Sequence, residues 1–242
     1  MNRMAIHYRR SKELVRGIGV RQVRLACGLV LFAYLTSHFL NHALGNISIE
    51  ALAYGIHYHI LFWQFLPVAI VFYTAALLHM GLGIWALYQR RQFRWKMIEP
   101  LQLVLGLSVP FLVMAHVVGV RLSETLFGIQ KQYPQELYAF WVAAPRRGLE
   151  IAAVLVIAWV HGCIGLHFWL RMKAFYRRAA PFLLAAAVLI PTLALLGFYQ
   201  AGRQIVTVSG NPEWRSVNLS RQKVGTTGQG DTLDAIADDL LI

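Results

Sequence analysis

Apolar residues fill this chain in five long runs, separated by short stretches that carry most of the charge. The first runs from about Leu25 to Leu44 and stops at Gly45-Asn46. The second runs from about Ile60 to Leu87 and stops at Arg90, Arg91, Arg94 and Lys96. The third opens after Glu99-Pro100, a favourable helix start, and continues to Val120. The fourth spans about Gly148–Leu170 and ends at Arg171, Lys173, Arg177 and Arg178, and the fifth runs from about Pro181 to Gln200. A helix needs about 20 apolar residues to cross the ~30 Å hydrocarbon core of a bilayer, and each run is of that order. The pattern predicts an all-α membrane protein, a five-span transmembrane helical bundle. Residues 1–24 form a basic arm, 25–202 the membrane domain and 203–242 a tail.

Composition sharpens this picture. The chain has 242 residues, is 57% hydrophobic with a mean hydropathy of +0.51, and only 14% of it is charged. Soluble proteins carry roughly 25% charged residues. The net charge of +12 would suit nucleic acid, but its placement argues for topology instead. The arm and the 2–3 and 4–5 connections, all on one side, hold 15 of the 23 Lys and Arg. The positive-inside rule then places the N-terminus in the cytoplasm. No basic stripe with stacking aromatics is present, so no nucleic-acid partner is expected. No cleavable signal sequence follows the arm. Cys27 and Cys163 lie in apolar runs outside any CxxC or CxxCH pattern, which argues against disulfide, zinc or covalently attached haem.

Histidine placement brings in chemistry. Of nine histidines, His38, His42, His79, His116, His161 and His167 lie in or at the ends of apolar runs. A lone intramembrane histidine can simply bond a neighbouring helix. Four successive runs with one at comparable depth, at spacings of 41, 37 and 45 residues (His38, His79, His116, His161), suggest one ligand per span. His79 and His161 stand 11 and 10 residues before the bounding Arg90 and Arg171, ~16 Å along a helix. His38 and His116 stand 14 and 17 residues beyond Arg24 and Glu99, ~21–25 Å up. Depth therefore pairs His79 with His161 near the inner face and His38 with His116 near the outer one.

Two imidazoles per level fall short of the four ligands that zinc takes. Haem supplies its own equatorial nitrogens and needs only axial ligands, so the pattern predicts two non-covalent b haems, with iron as the metal. Gly83 and Gly165, four residues after His79 and His161, and Gly119 near His116 would let a macrocycle approach the backbone. His42, one turn from His38, is the alternative outer ligand; otherwise His42 or Asn41 would bond a propionate or a quinone. His167 is expected at the inner interface, with His57 and His59 at the outer edge of span two. Arg21, Arg24, Arg90 and Arg121 are better read as snorkelling at the interface than as propionate partners. Pro110 and Pro191 are expected to kink their helices.

His38 in SHFLNH, His79 in HMGLGI, His116 in HVVGV and His161 in HGCIGL resemble the four axial ligands of a known family, the dihaem cytochrome b membrane anchors of succinate dehydrogenase and fumarate reductase. The resemblance covers about residues 18–202. It implies the same ligand pairing, quinone chemistry near one haem, and electron passage across the membrane. The long tail looks more like the six-helix haem-binding membrane anchors of bacterial class III adenylate cyclases. By that resemblance a sixth span would follow, with a cyclase catalytic domain on the cytoplasmic side. Residues 231–242, DTLDAIADDLLI, would lead towards it or form an amphipathic surface helix. Three functions follow: a redox- or quinone-sensing anchor of a cyclase, an electron-transfer subunit docking an iron–sulfur protein on its basic face, or a haem-free anchor or transporter with histidines on a proton path. A homodimer is compatible with each. No Ser/His/Asp grouping, P-loop or intramembrane carboxylate pair is visible, so catalysis is expected on another domain or subunit.

Overall fold

A computed structural model describes residues 19–91, 96–122 and 133–219. Residues 1–18 of the basic arm, Arg94, the first part of the 3–4 loop and the acidic segment DTLDAIADDLLI lie outside the described residues. Eight α-helices follow one another in the described parts: α1 Val20–Ala43, α2 Ile49–Trp63, α3 Leu66–Tyr88, α4 Ile98–Val117, α5 Tyr133–Tyr138, α6 Pro145–Leu170, α7 Tyr176–Val208 and α8 Pro212–Leu219. Five of them, α1, α3, α4, α6 and α7, are long and apolar enough to cross a membrane. Their outer surfaces are as apolar as a soluble core. Phe111 is 79% exposed and Phe182 77%; lipid is the solvent in which such faces are stable, and a helix satisfies its own backbone there.

The spans form two similar antiparallel pairs, α1 with α3 and α4 with α6, and α7 packs mainly on α1. Between the pairs α3 and α4 scarcely touch, and α6 supplies most of the bridge to α1 and α7. Trp159 of α6 forms its centre, buried against Phe32 and Phe39 of α1 with ring centroids 5.1 and 5.3 Å away. Its indole N–H donates to the Ala187 carbonyl of α7 at 2.8 Å. Small residues bring α1 and α7 together at their far ends, where a Cβ on Gly45 would strike the Gly197 backbone. The Asn46 amide then donates to Leu193 O at 2.8 Å, which fixes the end of α1 on α7.

The connection after span one is more structured than its composition suggests. Residues expected as a short link belong to α2, whose N-terminus is capped by Ser48 Oγ accepting from Ala51 N at 3.0 Å. The second span begins only at Leu66, because the chain leaves helical geometry at Phe65 (ψ 122°) and Pro67 falls in the first turn of the new helix, where its missing N–H is no loss. α4 and α7 run on through Pro110 and Pro191 as single helices. With 33 residues, α7 is ~50 Å long and exceeds a ~30 Å hydrocarbon core. Its last turns, the start of α2, α5 and the π-helical turn Ala139–Ala143 build a cap over Leu52, Leu137, Phe198, Ala201 and Ile205.

Candidate functional site: two levels of paired histidines

The inner level lies at the end of the bundle where α1 and α4 begin. His79 of α3 and His161 of α6 face each other there with ring centroids 6.2 Å apart and planes at 87°. Each ring is fixed from behind by a different helix. His79 Nδ1 donates to Arg24 O of α1 at 3.0 Å, and His161 Nδ1 donates to Gln102 O of α4, also at 3.0 Å. A proton on Nδ1 leaves the lone pair on Nε2, the tautomer a metal ligand needs.

Glycines make room for those rings. A Cβ on Gly28 would lie 2.8 Å from His79 Cε1, and one on Gly106 would strike His161 Cε1. The two half-sites are copies: Arg24, Gly28 and His38 precede Gln102, Gly106 and His116 by 78 residues each, while His79 and Gly83 precede His161 and Gly165 by 82. Neither Gly28 nor Gly106 was expected from the HxxxG spacing. The signal that finds them is the repeated GL–x8–H, from Gly28 to His38 and from Gly106 to His116.

The outer level brings His38 of α1 opposite His116 of α4, with centroids 6.4 Å apart. It is more crowded than the inner one. His42 Nε2 lies 3.2 Å from His38 Nε2, and its Nδ1 lies 3.1 Å from the Tyr133 hydroxyl of α5. His38 is thus the ring that faces His116, while His42 faces Tyr133 and Phe198. The Nδ1 atoms of His38 and His116 are buried without a hydrogen-bond partner among the described residues, an arrangement that costs free energy unless something satisfies it.

His59, expected at the interface, instead packs on the His38 ring at 5.2 Å from α2. Its Nδ1 lies 3.4 Å from Ser37 Oγ, and burial pushes its imidazole down to about 4. The difference follows from α2, which carries His59 inward and leaves His57 exposed. Asn41 is buried and donates to Leu52 O at 3.5 Å. His167 bonds the Tyr176 hydroxyl at 2.6 Å.

A Cβ at Gly83 or Gly119 would meet no described atom of another element within 4 Å, while one at Gly165 would face the Gln102 amide nitrogen at 3.3 Å. No group of three or more His, Cys, Asp or Glu able to hold a metal ion occurs among the described residues. What the two levels offer is a pair of opposed imidazoles each. A metal sits about 2 Å from an imidazole nitrogen, so two coaxial rings on one metal hold their centroids about 6 Å apart. The donor set therefore fits a metal group that brings its in-plane ligands with it, and the open space beside Gly83 suits a flat one.

The fold and these features define a five-helix, multi-pass apolar membrane protein. No protein-family model matches the sequence, and no similar curated protein or solved structure was found.

Proposed function

We propose that this chain is a dihaem b-type membrane domain that registers the redox state of the membrane, with quinone as its exchange partner, and serves as the input module of a bacterial adenylate cyclase. The observation that carries the haem reading is the recurrence of one opposed imidazole pair at each of two depths, with centroids 6.2 and 6.4 Å apart. Each pair takes one ring from the α1–α3 half and one from the α4–α6 half. Haem bound there would supply one-electron redox chemistry. His79 and His161 would hold the inner group, and His38 and His116 the outer one. Arg24 O and Gln102 O orient the inner rings, and the cap over the far end keeps water from the outer ones. Stacking the two levels across the bilayer makes a route for electrons between its faces. Coupling to a cyclase rests on the resemblance of the tail, and a cytoplasmic N-terminus on the distribution of basic residues.

A reduced-minus-oxidised optical spectrum of the protein, purified from cells supplied with haem precursor, tests the reading. Sharp α and β bands of low-spin b haem are expected. A featureless spectrum would reduce the chain to a membrane anchor whose histidines only bond neighbouring helices.

A further inference from the structure

A cleft of about 390 Å³ opens beside the inner histidine pair, at the end of the gap between α3 and α4. Its walls include Arg24 of α1, Gly83 and Leu87 of α3, Arg90 just beyond α3, and Glu99 and Leu103 of α4. The lower wall is apolar and the rim is charged. At the rim Arg90 and Glu99 form an ion pair at 2.7 Å, so their charges cancel. Arg24 is different. Among the described residues its guanidinium bonds Leu82 O at 3.5 Å, longer than a good N–H···O bond. Among the described residues of the lining, Arg24 therefore leaves a net positive charge close to an apolar interior, where charges are stable when paired.

Position ties the cleft to the ligands. Arg24 is the residue whose carbonyl takes the His79 N–H, and Gly83 lies one turn from His79 with no atom within 4 Å of a Cβ position. The repeat makes the charge more telling. The residue in Arg24's place on α4 is Gln102, whose carbonyl does the same for His161 but whose side chain is neutral. Cationic and neutral side chains thus stand at equivalent places in the two halves of one level. A ligand with an anionic edge would be turned towards α1 and the α3–α4 opening.

We infer that this cleft receives an ionised carboxylate arm of the haem carried by His79 and His161, with Arg24 as its ion-pair partner. The inference rests on the haem reading above. A lipophilic body with an oxyanion head is the chemistry the cleft selects, and an anionic phospholipid is the competing source of it. Because Arg24 fixes His79 through its backbone, replacing its side chain leaves that hydrogen bond in place and isolates the guanidinium.

The test is a spectroelectrochemical titration of the full chain, with the inner haem identified as the one missing from His161→Ala. Arg24→Gln is expected to move the inner midpoint to lower potential, since a lost cation favours the ferric state, or to release that haem alone. Arg24→Lys should recover part of the shift, and the outer midpoint should stay put in both. Arg171→Gln, which removes a cation outside the cleft lining, should leave both midpoints unchanged. Unchanged inner potential and haem content in Arg24→Gln would overturn the assignment. So would an equal shift in Arg171→Gln, or loss of co-purifying anionic phospholipid with no change in midpoint, which would make the cleft a lipid headgroup site. Absence of haem from the unmodified chain would instead overturn the reading beneath it, and is seen before any variant is made.

Discussion

His79 of α3 is held by the backbone of Arg24 on α1, its Nδ1 donating to that carbonyl at 3.0 Å. The bond selects the tautomer and aims the ring across the bundle, and no side chain other than the histidine takes part. His161 and Gln102 repeat the arrangement in the second half. A ring oriented by a helix carbonyl tolerates change at the residue that provides it, so its sensitivity should lie elsewhere, at the glycines that let the ring in.

Gly28→Ala and Gly106→Ala should weaken the inner site selectively. A methyl group on Gly28 would stand 2.8 Å from His79 Cε1, and one on Gly106 would press on His161 Cε1. Ala adds up to about 1 kcal/mol of helix propensity over Gly, so the variants should fold while binding inner haem less well. Haem affinity measured by titrating haem into apoprotein checks this; undiminished inner affinity in both variants would contradict the packing.

Gly83→Ala separates a different pair of effects. Nothing lies within 4 Å of its Cβ position, so the apoprotein should be unchanged or gain up to about 1 kcal/mol. If a macrocycle occupies that space, haem affinity should fall in the same variant. Thermal melts of the apoprotein and haem titrations, made side by side, read the two signs.

Trp159 anchors the second half to the first. Trp159→Ala should cost ~3–5 kcal/mol, the range for a buried tryptophan, since the ring is 4% exposed between Phe32 and Phe39. Trp159→Phe keeps an aromatic ring and loses the N–H bond to Ala187 O, for which ~1–3 kcal/mol is expected because the carbonyl is left unpaired. Denaturation in detergent ranks them; equal loss would show that stacking contributes little.

Tyr133 gives a pH dependence. Burial, and then the Glu136 carboxylate, push its phenol above the ordinary value of 10.0. The folded state therefore favours the neutral form. The stability this provides is complete below pH ~10 and is lost as pH rises above it towards the raised folded value. Melting temperatures of the unmodified chain should fall more steeply above pH 10 than those of Tyr133→Phe. Near neutrality that variant should lose ~1 kcal/mol with its bond to His42 at 3.1 Å. Parallel alkaline curves would place the phenol in contact with water.

Much of this architecture is legible in the sequence, because bilayer thickness turns apolar run length into helix count. The four histidines could be placed by depth for the same reason: rise per residue is fixed, and arginines mark the run ends. His59 and the cap were not legible. Ser48 and Pro67 each mark a helix start, but between them the apolar run reads as continuous, so α2 merges into the second span. The cap depends on contacts such as Gly202 against the Trp141 ring, distant in sequence and without local signature. Gly28 and Gly106 were hidden for another reason. Their role belongs to a histidine on the neighbouring helix, and only the 78-residue repeat, compared across both halves, points to them.

Each opposed imidazole pair should hold one haem. A pyridine haemochrome count per chain, taken on the unmodified protein and on His79→Ala, His161→Ala and His116→Ala, tests it directly. Two haems are expected in the unmodified chain, one in each variant, and the same remaining spectrum in His79→Ala and His161→Ala but a different one in His116→Ala. A single haem in the unmodified chain, or a remaining spectrum common to all three variants, would contradict the pairing.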